Sequence, residues 1–144
     1  YGFGAEAARI THDISRAAGH FPFNQLPELY TAFQRDETNF PVQYIGANVP
    51  QAWAAGSSFM LTQALLGFLP DAPRNKLYVD PLLPSWLPDL TVQDLRIGKH
   101  RMSIRFWREG EQTEFEVIEG DRKLVERCDM ASKIAQLRIA SDPI

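Results

Sequence analysis

Asn48-Val49-Pro50-Gln51-Ala52-Trp53 opens the stretch that decides how this chain is read, because no residue from Thr38 through Pro70 carries a formal charge. Asn48 has the side chain of an N-cap, Pro50 fits a first helical turn, and Gln51, three residues after the cap, can return a hydrogen bond as in a capping box. The helix so started is expected over 49–66, with Gly67 as its C-terminal stop. Trp53, Phe59, Met60, Leu61, Leu65 and Leu66 point in several directions around it, which predicts a helix packed on most sides. A membrane span fits poorly. Asn39, Gln43, Asn48, Pro50, Gln51 and Gln63 interrupt the segment and leave no continuous apolar run of about 18 residues.

Downstream, Pro70, Pro73, Pro81, Pro84 and Pro88 each fix a backbone φ, so 71–89 is expected to be a stiff, extended crossing segment and the domain boundary. The period then changes to two. Met102, Ile104 and Phe106 alternate with Ser103, Arg105 and Trp107, and Phe115 and Val117 alternate with Glu114 and Glu116, as half-buried strands do. Gly98-Lys99-His100, Glu109-Gly110-Glu111 and Glu119-Gly120-Asp121 supply turns, giving an antiparallel meander of about four strands from Leu90 to Arg127. Met130, Ile134 and Leu137 stand at helical spacing and predict a short helix before Pro143.

Upstream, Phe3, Ala7, Ile10, Ile14 and Ala17 recur along one face of an amphipathic helix that ends near Gly19. From His20 to Ala47 the pattern dissolves into prolines and aromatics, a long irregular connection of the kind that lines sites. The organisation is therefore a helical part over 1–70, a crossing segment over 71–89 and a β region with a short terminal helix over 90–144.

The 144 residues are 44% hydrophobic and 23% charged, which excludes a disordered chain and suits one modest core or two small ones. The net charge of -3, with no basic run, argues against nucleic acid and anionic membrane surfaces and for an uncharged ligand. Cys128 is the single cysteine and has no disulfide partner in the chain. His12, His20 and His100 lack metal-ligand spacing, so no metal and no cofactor are expected, and the chain reads as cytoplasmic.

Leu26-Pro27-Glu28-Leu29 followed by Pro50-Gln51-Ala52-Trp53 resembles the final hairpin of the amylo-alpha-1,6-glucosidase, or glycogen debranching, family. Leu77-Tyr78-Val79-Asp80-Pro81, Leu83-Pro84, Trp86-Leu87 and Leu95-Arg96-Ile97-Gly98 resemble that family's exit into a small β region, so the likeness runs to about Val117. The resemblance implies an α+β chain: the final helix hairpin of an (α/α)6 toroid followed by a small antiparallel β meander, as a fragment of a larger six-hairpin glycosidase. It also implies that Glu28 is the general base, set against an aspartate acid on an earlier hairpin whose region would precede Tyr1. Glycoside hydrolysis needs such a pair, about 6.5 to 9.5 Å apart when configuration inverts. Asp36 and Glu37 are near in sequence but do not resemble the family's acid.

Tyr30, Gln51 and Trp53 are the expected substrate-binding residues beside the catalytic Glu28. Each also has a plainer role. Trp53 can be a core aromatic, Gln51 can complete the helix cap, and Tyr30, Phe33 and Tyr44 can pin the loop instead of stacking on glucose. Arg35 beside Asp36 reads as a solvated pair. The function implied is hydrolysis of α-1,6-linked glucose or a related α-glucoside, with an α-glucan or small α-glucoside as ligand. The alternative is a non-catalytic carbohydrate-binding or assembly module. With one carboxylate of the pair, the chain alone is expected to be inactive. Its uncovered apolar faces call for an upstream part of the same polypeptide or for self-association.

Overall fold

The structure is a computed structural model that describes residues 3–33 and 40–141. Arg35, Asp36 and Glu37, weighed above as a solvated pair and as candidate acids, lie outside the described residues. The elements run α1 (Gly4–Ala18), a 3-10 turn (Pro22–Asn24), α2 (Ala52–Leu66), β1 (Leu69–Asp71), a 3-10 turn (Ala72–Arg74), β2 (Lys76–Val79), β3 (Asp89–Ile97), β4 (His100–Glu109), β5 (Gln112–Glu119), a 3-10 turn (Arg122–Leu124), β6 (Val125–Arg127) and α3 (Met130–Ser141). They fall into two compact units, one of residues 6–62 and one from residue 63 onward that also takes in the start of α1 up to Ala5.

The toroid hairpin expected from the resemblance is not what the chain forms. Among the described residues, three helices and two three-stranded sheets make a small α+β fold. The expectation failed at α2, whose uncharged sequence suggested cover on most sides. Trp53, Phe59 and Met60 are instead 63%, 80% and 71% exposed, and only Leu65 and Leu66 are buried. An uncharged sequence permits burial but does not supply the neighbouring elements that would produce it.

In the unit from residue 63, β3, β4 and β5 form an antiparallel meander, and β1, β2 and β6 form the second sheet. The meander has three strands, fewer than the four expected from Leu90 to Arg127. Val125–Arg127 leaves it to pair in parallel with β2, matching Leu77 to Val125 and Val79 to Arg127. Part of the proline-rich stretch is likewise paired, since Leu69–Asp71 is antiparallel to Lys76–Val79. The meander's turns are tight because Ile97 faces His100 and Glu109 faces Gln112, leaving two residues in each loop. Gly98 and Gly110 take the first loop position with φ of +57° and +65°, the left-handed backbone that a II′-type hairpin needs there.

Alternation on β4 places Met102, Ile104 and Phe106 in the core with Leu66, Leu77, Val79, Leu83 and Ile97. Phe106 is fully buried between Phe68 and Phe115, with ring centroids at 5.8 and 5.9 Å. Ser103 faces the other way yet is also buried, and its hydroxyl donates to Glu119 Oε2 at 3.0 Å. The end of α2 is capped by chain that follows it: Leu65 and Leu66 carbonyls accept from Leu82 and Asp80 N–H at 2.7 and 3.2 Å. That strap crosses where Gly67 turns with φ +57°, and a Cβ there would meet the Asp80 carbonyl oxygen at 2.6 Å. Among the described residues no helix is long and apolar enough to cross a membrane.

In the unit of residues 6–62, α1 buries Ala8, Thr11 and Ala17, whereas Ile10 of the expected apolar face is exposed. The connection between α1 and α2 is also less irregular than its prolines suggest. Tyr30 bridges Gln43 in antiparallel fashion, Thr31 N–H donates to the Val42 carbonyl at 2.9 Å, and Tyr44 N–H donates to the Leu29 carbonyl at 3.0 Å. Residues 28–31 and 42–48 therefore run side by side as a short hydrogen-bonded arm.

Candidate functional site

The arm determines where Glu28 sits. Pro27 is buried and fixes the chain immediately before the carboxylate, and Glu28 N–H donates to the Asn48 carbonyl at 3.0 Å. The same Asn48 answers with both of its donors. Its backbone N–H reaches Glu28 Oε2 at 3.2 Å, and its side-chain amide reaches the same oxygen at 3.0 Å. Oε1 has no hydrogen-bond partner among the described residues.

This geometry revises the expected cap. Asn48 does not cap α2, which begins four residues on at Ala52; its backbone N–H and side-chain amide both donate to Glu28, twenty residues away in sequence. Gln51 takes over at the helix start: its carbonyl accepts from Ala55 N–H at 2.9 Å and its Oε1 accepts from Ala52 N–H at 2.8 Å. The side chain of Gln51 is thus engaged with the backbone and does not line the cavity beside Glu28.

That cavity has a volume of about 400 Å³ and lies wholly within the unit of residues 6–62. Ile14 contributes from α1, Leu26 and Pro27 from the chain leading into the arm, Glu28 through Tyr30 from the arm, and Trp53, Ala54, Ser57 and Met60 from α2. Trp53, Ser57 and Met60 recur at four and three residues, so one helix face supplies that wall. Three of the four residues expected from sequence, Glu28, Tyr30 and Trp53, are brought together, and Gln51 is not. Asn48 is the residue that sequence reasoning placed in the wrong role. Its signal was the position shared by good caps and good carboxylate donors.

Tyr30 lines the cavity through atoms other than its hydroxyl, which is sealed from solvent and makes no hydrogen bond. Its ring meets Phe21 edge-on at 5.9 Å, and burial pushes its phenol pKa above the usual 10.0. Ser57 is committed as well, its hydroxyl donating to the Ala54 carbonyl at 2.6 Å. Phe33 and Tyr44 are exposed and do not line the cavity. Glu28 is the only carboxylate on its walls among the described residues, and no group of His, Cys, Asp and Glu there is arranged to hold a metal ion.

No protein-family model, curated protein or solved structure matches this chain.

Proposed function

We propose that the chain supplies the general-base half of an α-glucoside-hydrolysing site in a cytoplasmic protein, with Glu28 polarising the attacking water. The carrying observation is the asymmetric hold on that carboxylate: Asn48 occupies Oε2 from two donors, Oε1 has no partner among the described residues, and Glu28 lines a cavity. A base held through one oxygen keeps its orientation without losing the lone pair that must accept a proton. Trp53 provides the exposed aromatic face that sugar rings stack on, and Tyr30 closes the wall beside it. The acid that protonates the leaving oxygen comes from another part of the polypeptide or from a partner, and the substrate is an α-1,6-linked glucose or a related α-glucoside.

One observation favours a second reading, a non-catalytic carbohydrate-binding or assembly module. The cavity holds no second carboxylate among the described residues, and α2 leaves Phe59 and Met60 uncovered. The two readings separate on a single substitution in the polypeptide that contains the acid. Under the hydrolase reading, Glu28→Gln lowers turnover of an α-1,6-glucoside by about 10² to 10⁴ while methyl α-D-glucoside still binds. Turnover within a few-fold of the parent rate rejects Glu28 as the base. In the 144-residue chain alone, no turnover is expected.

A further inference from the structure

We propose that the cavity beside Glu28 accepts an apolar aglycone, so that the preferred ligand is an α-glucoside carrying an alkyl or aryl group and not a second glucose ring; this rests on the sugar-site reading above and, within it, takes the related α-glucoside over α-1,6-linked glucose. The walls carry the argument. Ile14, Leu26, Leu29, Trp53 and Met60 offer only apolar contact or a π face apart from the indole N–H. Of the polar groups that accompany them, Ser57 donates to the Ala54 carbonyl, Glu28 Oε2 is held by Asn48, and the Tyr30 hydroxyl, though unpartnered, is closed off from solvent.

Among the described residues, what remains for a ligand is one side-chain acceptor, Glu28 Oε1, and one donor, the Trp53 indole N–H. A second glucose ring in this space brings several hydroxyls that must leave water, and one acceptor and one donor cannot replace those hydrogen bonds. An alkyl chain gives up nothing on entering and gains contact with every wall. The volume of about 400 Å³ falls in the range of small-molecule sites and exceeds what a water-mediated crevice needs. Oε1 then faces a hydroxyl of the one glucosyl unit at the cavity's edge.

The test is calorimetric titration of the chain with methyl, butyl and hexyl α-D-glucoside, isomaltose and hexanol. Each buried methylene is worth roughly a factor of three to four in affinity, so hexyl α-D-glucoside should bind about tenfold more tightly than the butyl compound. Isomaltose should bind no more tightly than methyl α-D-glucoside. Met60→Gln, at a largely exposed position that folding does not depend on, should flatten the alkyl series and spare the methyl compound, and Trp53→Ala should weaken every glucoside.

Isomaltose binding more tightly than butyl α-D-glucoside overturns the aglycone proposal and leaves the sugar-site reading standing. Hexanol binding as tightly as hexyl α-D-glucoside removes the sugar from recognition, and both fall. An alkyl series unchanged by Met60→Gln and Trp53→Ala places the binding elsewhere and overturns the proposal, as does the absence of any binding.

Discussion

Glu28 and Asn48 are joined by three hydrogen bonds: the Glu28 N–H donates to the Asn48 carbonyl, and the Asn48 N–H and side-chain amide both donate to Glu28 Oε2. The pairing closes the arm whose outer rungs are the Thr31 to Val42 and Tyr44 to Leu29 hydrogen bonds. It therefore has a structural consequence and a functional one. The arm's inner end is fixed, and the carboxylate's direction is fixed with it.

Asn48→Ala removes the side-chain donor but keeps both backbone bonds. Hydrogen bonds to charged groups contribute more than neutral ones, but this one is exposed, so the expected loss in stability is about 1 kcal/mol. Denaturant titration measures it. Faster hydrogen exchange at the amides of Glu28 and Thr31 would locate the effect in the arm, and unchanged exchange there would count against the pairing.

Tyr30→Phe should raise stability by about 1 kcal/mol, because the hydroxyl it removes is buried without a partner. The same substitution predicts a change at alkaline pH. Burial raises the phenol pKa in the folded state above 10.0, so the folded protein holds that proton more tightly than the unfolded chain does. The resulting stability is present below about pH 10 and is lost as pH rises through the folded value. Thermal unfolding followed across that window should show a steeper alkaline decline in the parent than in the variant.

Gly67→Ala should cost at least about 2 kcal/mol. The position combines φ of +57° with an Asp80 backbone oxygen 2.6 Å from where a Cβ would stand, so neither the turn nor the strap can yield cheaply. A comparison with Gly46→Ala separates the two causes. Gly46 also has positive φ, +84°, but open space around it, and its variant should lose only the smaller conformational part.

The exposed face of α2 predicts self-association. Phe59 and Met60 are neighbours on a helix without a single charge from Ala52 to Leu66, and apolar surface of this kind associates in water. Sedimentation velocity should show the parent chain shifting to larger species with concentration. The double substitution Phe59→Ser and Met60→Ser should hold it monomeric while changing stability by no more than about 0.5 kcal/mol for each residue. A parent that stays monomeric at high concentration would refute this.

The β region was the most legible part of the chain. A period of two needs only local information, so Met102, Ile104 and Phe106 identified the core face of β4, and glycines at 98 and 110 marked both hairpin turns. The departure of Val125–Arg127 to the second sheet was not legible. Its partner, Lys76–Val79, lies about fifty residues earlier, and parallel pairing leaves no turn signature between the two strands.

In the candidate site, Glu28, Tyr30 and Trp53 were singled out through the family resemblance, and all three line one cavity. Their roles were decided by contacts that sequence does not encode locally. An asparagine suited to capping a helix was taken by a carboxylate from the opposite side of an arm, and a glutamine suited to a sugar hydroxyl was taken by the helix start. The same holds for α2. Its lack of charge was set by the amino acids alone, whereas its exposure depended on which elements came to lie against it, and burial is a property of neighbours.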